Sequence, residues 1–269
     1  MIRVGLIGFG AIGHEVADAL VAGSDVDSRL VAVLVRREEA AREITRRWNI
    51  AATTDREDFL SHNLDLVVEC AGHAAVRDHA LALLERGMAL MVTSVGAFAD
   101  DDLWLRAQVT ARASGGQLLI PAGGVGGLDV LGAAAVGGLD EVTMRVRKAP
   151  DAWFGTPAAS LVDLTTLTEV VCIYDGPVRE GARRYPQNVN IAAAVALTGI
   201  GLDRTRLIIE IDPAATHHVV EVTGSGTFGG FRCRIDNLPS PENPKTGRLV
   251  AMALVKAVRR YGAAVDLGV

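Results

Sequence analysis

The sequence predicts two units of the α/β kind. The first is a Rossmann-type doubly wound parallel sheet over residues 1–121, completed by a C-terminal helix within 245–269. The second, over 122–244, is an α+β unit with an open mixed or antiparallel sheet. Three observations lead there. A glycine-rich turn joins an N-terminal strand to a helix, and strand-length apolar runs then alternate with helical stretches as far as Ile120. After Pro121 strands dominate, with few helices between them.

The opening run Met1–Ile7 is a short apolar strand that passes directly into Gly8-Phe-Gly-Ala-Ile-Gly13, with a helical stretch beyond. In that setting each glycine has a task. Gly8 makes the tight turn, Gly10 removes a side chain where a pyrophosphate approaches the backbone, and Gly13 lets the helix lie close on the strand. Ala11 and Ile12 open the helix, whose first N–H groups and partial positive charge suit phosphates. Strands follow at Leu30–Val35, Leu66–Cys70, Ala89–Thr93 and Gln117–Ile120, with helices at Glu38–Trp48, Ala74–Arg86 and Asp101–Ala113 between them. Strands separated by helices imply parallel pairing.

The second of these strands ends in Arg36 and Arg37, without the Asp or Glu that binds the ribose 2′-hydroxyl of NAD. The two arginines either hold the 2′-phosphate of NADP or are solvated surface residues, so NAD or NADP is the expected cofactor. Cys70, Ala71 and Gly72 follow one strand end, and Ser94, Val95 and Gly96 another. These small residues are expected to leave room for ribose and nicotinamide, because ligands of open α/β sheets sit outside the carboxyl ends of strands. His73 either touches the cofactor edge or faces solvent.

Beyond Pro121 a glycine-rich crossing, Ala122–Asp129, precedes a helix of small residues. Strands are expected at Glu141–Arg147, Val170–Tyr174, Arg206–Ile211, His218–Thr223 and Phe231–Asp236, with helices at Val178–Arg184 and Ile191–Leu197. The final helix, Thr246–Tyr261, carries Leu249, Val250, Leu254 and Val258 at helical spacing and is expected to return to the first unit. The cleft between the units is the default active site.

Bulk properties exclude other classes. A chain that is 49% hydrophobic and 22% charged is not disordered, and a net charge of −5 without a basic patch argues against nucleic acid. No apolar run is long enough to cross a bilayer, and the chain opens on a strand rather than a charged leader. Cys70, Cys172 and Cys233 form no CxxC pair, which suits a cytoplasmic protein with reduced thiols. Cys172 and Cys233 are expected to be packing residues. No His, Cys and Asp cluster has metal-ligand spacing, so no metal is expected. Ser160 and Ser225 lack a base.

Several segments together resemble the L-aspartate dehydrogenase family across nearly the whole chain. They are the N-terminal GxGxxG, Glu69–His73, Ser94–Ala97, Ala152–Pro157, Tyr185–Ala193, Gly201–Thr205, Gly226–Phe231 and Glu242–Thr246. The resemblance implies oxidative deamination of L-aspartate to iminoaspartate and oxaloacetate, or the reverse reductive amination. Its nicotinamide positions map onto Gly124 and Asn190, although Asn190 also suits a helix N-cap.

The family's catalytic histidine lies in an Asp-Pro-x-x-x-x-Asn-x-His pattern. Counted from Asp212-Pro213, it falls on Val220, a residue that cannot move a proton, with His218 at the Asn position. His218 shares a strand face with Val220 and either replaces the missing base or belongs, with His217, to an ordinary histidine pair. Lys245, in the turn thought to open the last helix, is a candidate for a substrate carboxylate, and Thr246 for a further donor. The substrate site is thus expected to draw on Asn190, His217, His218, Val220, Lys245 and Thr246.

Three functions follow. The first is an NAD(P)-dependent amino-acid dehydrogenase acting on L-aspartate. The second is a dehydrogenase or imine reductase of the same fold for another amino or keto acid, favoured if Val220 makes the pocket more apolar. The third is a non-catalytic dinucleotide-binding homologue. The expected partner is a small dicarboxylic amino or keto acid, and the expected assembly a homodimer through the open face of the second sheet.

Overall fold

The computed structural model describes residues 1–22, 27–186, 190–240, 243 and 245–265. Two compact units emerge: residues 1–121 with the C-terminal helix from Ala251, and residues 122–250.

The first unit is a six-stranded sheet of β1 (Ile2–Ile7), β2 (Ser28–Leu34), β3 (Ala51–Thr53), β4 (Leu66–Glu69), β5 (Ala89–Val92) and β6 (Gln117–Leu119), in the order β3-β2-β1-β4-β5-β6. Every pairing is parallel. The helices are α1 (Ala11–Ala22), α2 (Glu38–Trp48), α3 (Arg56–Ser61), α4 (His73–Glu85) and α5 (Asp101–Ser114). All residues of β4 and β5 are buried, as expected of strands covered on both faces, and this makes their apolar runs continuous.

β3 and α3 escape the sequence reading. β3 is three residues long, too short to show a period, and α3 is set by its cap rather than an apolar stripe. The Asp55 carboxylate accepts the N–H groups of Glu57 and Asp58.

The last helix, α9, spans Leu249–Tyr261. Its Ala251, Leu254 and Val258 join Val4, Leu6, Leu30 and Val33 in the core of the first unit.

The second unit is a five-stranded sheet of β7 (Leu139–Lys148), β8 (Val171–Pro177), β9 (Arg206–Ile211), β10 (His218–Gly226) and β11 (Gly229–Asn237), in the order β11-β10-β7-β9-β8. β7 and β9 run parallel and the other pairs antiparallel, so the sheet is mixed. Helices α6 (Leu128–Gly137), α7 (Val178–Arg184) and α8 (Asn190–Thr198) belong to it.

Period-two alternation sorts this sheet into two unlike faces. Val142, Met144 and Val146 of β7, Leu207, Ile209 and Ile211 of β9, and Val220 and Val222 of β10 form a buried apolar face. The other face carries ion pairs across strands: Arg145 and Arg147 on Glu210, and Arg232 on Glu221. Cys233 packs against the glycines that lead into α6, whereas Cys172, expected to pack, is exposed and its thiol donates to the Tyr174 carbonyl.

Two boundary corrections matter for the site. β7 runs to Lys148, one residue past the expected end. The last helix begins at Leu249 rather than Thr246. Gly247 bridges to Pro239 instead, and the Leu249 N–H is taken by the side-chain oxygen of Asn237 at 3.2 Å.

Candidate active site

The glycine turn of the first unit is shaped by contact on one side and by open space on the other. Gly8 has φ +90°, and a Cβ there would lie 2.6 Å from the Ala71 Cβ, so only glycine fits. A Cβ on Gly13 would lie 2.6 Å from the Gly8 carbonyl oxygen, the close helix–strand approach that the motif requires. At Gly10 nothing lies within 4 Å of such a Cβ. Open space at Gly10, beside the first turn of α1 with half-buried Ala11 and Ile12, suits the pyrophosphate of a dinucleotide.

Glu69, which the sequence reading passed over, organises the neighbouring loops. It is 1% exposed at the end of β4. Its carboxylate accepts the N–H groups of Ala71 and Gly72, both at 2.7 Å, the N–H of Ser94 at 3.0 Å and the Ser94 hydroxyl at 2.9 Å. One buried anion therefore ties the loop after β4 to the loop after β5, satisfied by four donors.

Ser94, Val95 and Gly96 are buried, with the Ser94 hydroxyl committed to Glu69. Burial and then the Glu69 charge push the Cys70 thiol well up, so it stays protonated and has no nucleophile's character. Arg36 and Arg37, at the end of β2, are exposed. Their guanidinium groups make no hydrogen bond or ion pair among the described residues.

In the second unit the apolar face of the sheet ends in a polar row. Asn237 of β11 stands opposite His218 of β10. On the other side β10 and β7 pair as far as Val219 with Arg147, and the next step brings His218 opposite Lys148. Lys148 in turn pairs with Ile211 of β9. Residues directly opposite each other share a face with Cβ atoms about 5 Å apart. Asn237, His218 and Lys148 thus stand side by side, 7%, 4% and 5% exposed.

Of the expected cofactor positions, Gly124 adjoins this row, and Asn190 lies near the neighbouring Gly123. A Cβ on Gly124 would lie 3.5 Å from the Asn237 amide nitrogen. One on Gly123 would lie 3.4 Å from Ile191, the neighbour of Asn190 at the start of α8.

Val220 stands one pair deeper, between Val146 and Ile235, 4% exposed. It is as buried as His218, with apolar neighbours on both sides. The histidine with polar neighbours is His218, six residues after Asp212 where the family pattern counts eight. His217 precedes the strand, and its ring nitrogen meets the Thr216 hydroxyl at 2.8 Å.

Lys245 and Thr246 lie in a turn four and three residues before α9, so no helix start assists Lys245. Its N–H bonds the Asn243 side chain, and the Thr246 hydroxyl accepts from the Asn243 amide. The part of Lys245 that reaches the row is its carbonyl, which accepts a 2.9 Å hydrogen bond from the Lys148 ammonium.

Lys148 itself was missed in the sequence. The signal was present: Val142, Met144 and Val146 face inward at period two, and Lys148 continues that face. Desolvation lowers its pKa from 10.5 to about 8. Trp153, fully buried in a short 3-10 turn (Pro150–Trp153), lies with its ring 5.9 Å from the Lys148 nitrogen and edge-on to Tyr185. Its indole N–H has no acceptor among the described residues. Those residues contain no group of three or more His, Cys, Asp or Glu able to hold a metal ion. They also contain no helix long and apolar enough to cross a membrane.

Against known proteins, residues 129–261 match the model described as aspartate dehydrogenase, C-terminal, and residues 8–121 the model of a homoserine dehydrogenase NAD-binding domain. The chain is 40% identical to an L-aspartate dehydrogenase of Cupriavidus taiwanensis, covering 99% of this chain and 100% of that one. The chain belongs to the L-aspartate dehydrogenase family. A further member, from Pseudomonas aeruginosa, is 38% identical over 99% of this chain and its own full length. The crystal structure of the aspartate dehydrogenase from Thermotoga maritima has the same fold, with TM-score 0.77 at 21% identity and 99% of each chain covered. As a member of this family the chain is an oxidoreductase with a unit for a nicotinamide dinucleotide.

Proposed function

We propose that the protein is an NADP- or NAD-dependent L-aspartate dehydrogenase whose proton-transfer residue is His218. The observation that carries this reading is the buried row of Asn237, His218 and Lys148 on a sheet face that is otherwise apolar, with Gly124 against it. Three polar side chains set together at the end of an apolar face form a polar spot of the kind that orients a small substrate.

When bound, the nicotinamide takes up the hydride leaving the substrate Cα, or returns it in the reductive direction. His218 accepts a proton from the substrate nitrogen as the C–N bond becomes an imine. Once that proton has passed to solvent, the neutral ring takes one from the water that attacks the imine and hands it to the departing nitrogen, giving oxaloacetate and ammonia. Asn237 holds the site's edge in place through its bond to the Leu249 N–H. Gly124 leaves the backbone open where the resemblance puts the carboxamide. Glu69 keeps the loop of Ala71 and Gly72 in place beside Gly8. The exposed and unpaired Arg36 and Arg37 support a preference for the 2′-phosphate of NADP.

The second reading, another amino or keto acid in a more apolar pocket, rests on Val220, whose neighbours Val146 and Ile235 are both apolar. Purified protein with NADPH or NADH, ammonia and a panel of keto acids tests the first. Oxaloacetate is expected to be turned over fastest, and NADPH preferred. Turnover of a different acid with none of oxaloacetate would overturn it.

A further inference from the structure

Lys148 is a buried cation for which the described residues supply no counter-charge. It is 5% exposed, takes part in no salt bridge, and gives one of its three N–H groups to the Lys245 carbonyl. Beside it the Trp153 indole N–H is buried without an acceptor. A buried charge without a counter-charge and, on the ring 5.9 Å from it, a buried N–H without an acceptor are each expensive, and one kind of group, a carboxylate, can meet both.

Among the described residues, the named neighbours offer them no carboxylate. β9 offers Ile211 alongside Lys148, and Asp212 turns its carboxylate to Arg147 at 3.7 Å and to the Ala214 N–H. Tyr185 meets the Trp153 ring edge, and β10 contributes His218.

We propose that Lys148, with the Trp153 indole N–H, is the anchor for a carboxylate of the substrate. That places the bound acid next to His218, one strand away. The inference rests on the proposed dehydrogenase reading for the identity of the acid, but not for the anion site itself. Two further ammonium N–H groups and one indole N–H are available to the two oxygens of a carboxylate. The same chemistry serves either carboxylate of a four-carbon amino diacid.

The test uses Lys148→Met, which keeps the length and removes the charge, and Lys148→Arg, which restores it with a different shape. Succinate binding followed by calorimetry, with oxidised NADP and separately with NAD present, needs no turnover. Wild-type protein is expected to bind succinate, Lys148→Met at least about tenfold more weakly, and Lys148→Arg in between, each with unchanged dinucleotide affinity. In aspartate oxidation the loss is expected in KM for aspartate rather than in KM for the dinucleotide. With L-alanine as substrate, a variant that no longer distinguishes alanine from aspartate assigns Lys148 to the side-chain carboxylate. An equal loss on both assigns it to the α-carboxylate.

Equal succinate affinity in wild type and Lys148→Met, or no succinate binding by wild type, would sink the anchor whether or not aspartate is turned over. An enzyme inactive on aspartate that still binds succinate through Lys148 would instead refute the dehydrogenase reading and leave the anchor standing.

Discussion

The two units make their binding features from different materials. In the first, the ligand-shaped surface is backbone: Gly8 and Gly10 of the turn and the first N–H groups of α1, with the loop of Ala71 and Gly72 held by the one buried Glu69 carboxylate. In the second it is side chains at the end of a sheet face, where Asn237, His218 and Lys148 stand in cross-strand register. A backbone feature depends on neighbours in sequence. A cross-strand row joins residues far apart in the chain: Lys148 and His218, 70 positions apart, meet only because β7 and β10 pair.

The largest separation between the two materials is expected at His218. His218→Ala should lower turnover by about 10²–10⁴-fold while leaving dinucleotide affinity within about twofold, as loss of a general acid–base does. Val220→Ala is the matched control. It should cost about 2 kcal/mol of stability through the cavity it leaves between Val146 and Ile235, with turnover little changed. If Val220→Ala instead abolished turnover and His218→Ala did not, the register argument would fail.

That control also marks what could be read in advance. The glycine turn, the alternating strands and the open second sheet were legible, because each is a local pattern of short period. His218 was legible as a candidate, but the row around it was not. Strand alternation puts His218 on the face of Val220, but its neighbour Asn237 comes from another strand and appears only once β10 and β11 pair. Lys148 was legible in principle, as the charged residue that continues the face of Val142, Met144 and Val146, but its strand was ended one residue early. Glu69 was hidden for a different reason: its partners include Ser94, on a loop that becomes a neighbour only once β4 and β5 pair.

A smaller effect is expected from the backbone side. Gly8→Ala forces a side chain to φ +90° and against Ala71, so dinucleotide KM should rise by about tenfold or more, with stability falling by about 1–3 kcal/mol. The KM for the amino acid should follow much less. Arg36 and Arg37 bear on selectivity alone. Replacing both by Ala should lower kcat/KM for NADP by about 10–100-fold and leave that for NAD nearly unchanged. Equal loss with both dinucleotides would mean that the arginines do not read the 2′-phosphate.

The smallest signal is thermodynamic, and it isolates the penalty that Lys148 carries without a ligand. Its folded-state pKa of about 8 lies below the ordinary 10.5, so between those values the unfolded chain binds more protons than the folded one. Stability must then rise with pH across that window. The burial penalty is full below about pH 8 and gone above about 10.5, a span worth about 3 kcal/mol at about 1.4 kcal/mol per unit. Lys148→Met has no such group, so in the absence of any acid it should be the more stable protein at pH 7, and its lead should shrink towards pH 10. A saturating dicarboxylate should reverse the order at pH 7, because only the wild type gains a partner for the buried ammonium. Denaturant unfolding of both proteins at pH 7 and pH 10, with and without succinate, measures all of this. A lead that stayed constant with pH would mean that the ammonium is already solvated or paired in the free protein, and the contrast between a self-sufficient backbone site and a ligand-completed side-chain site would dissolve.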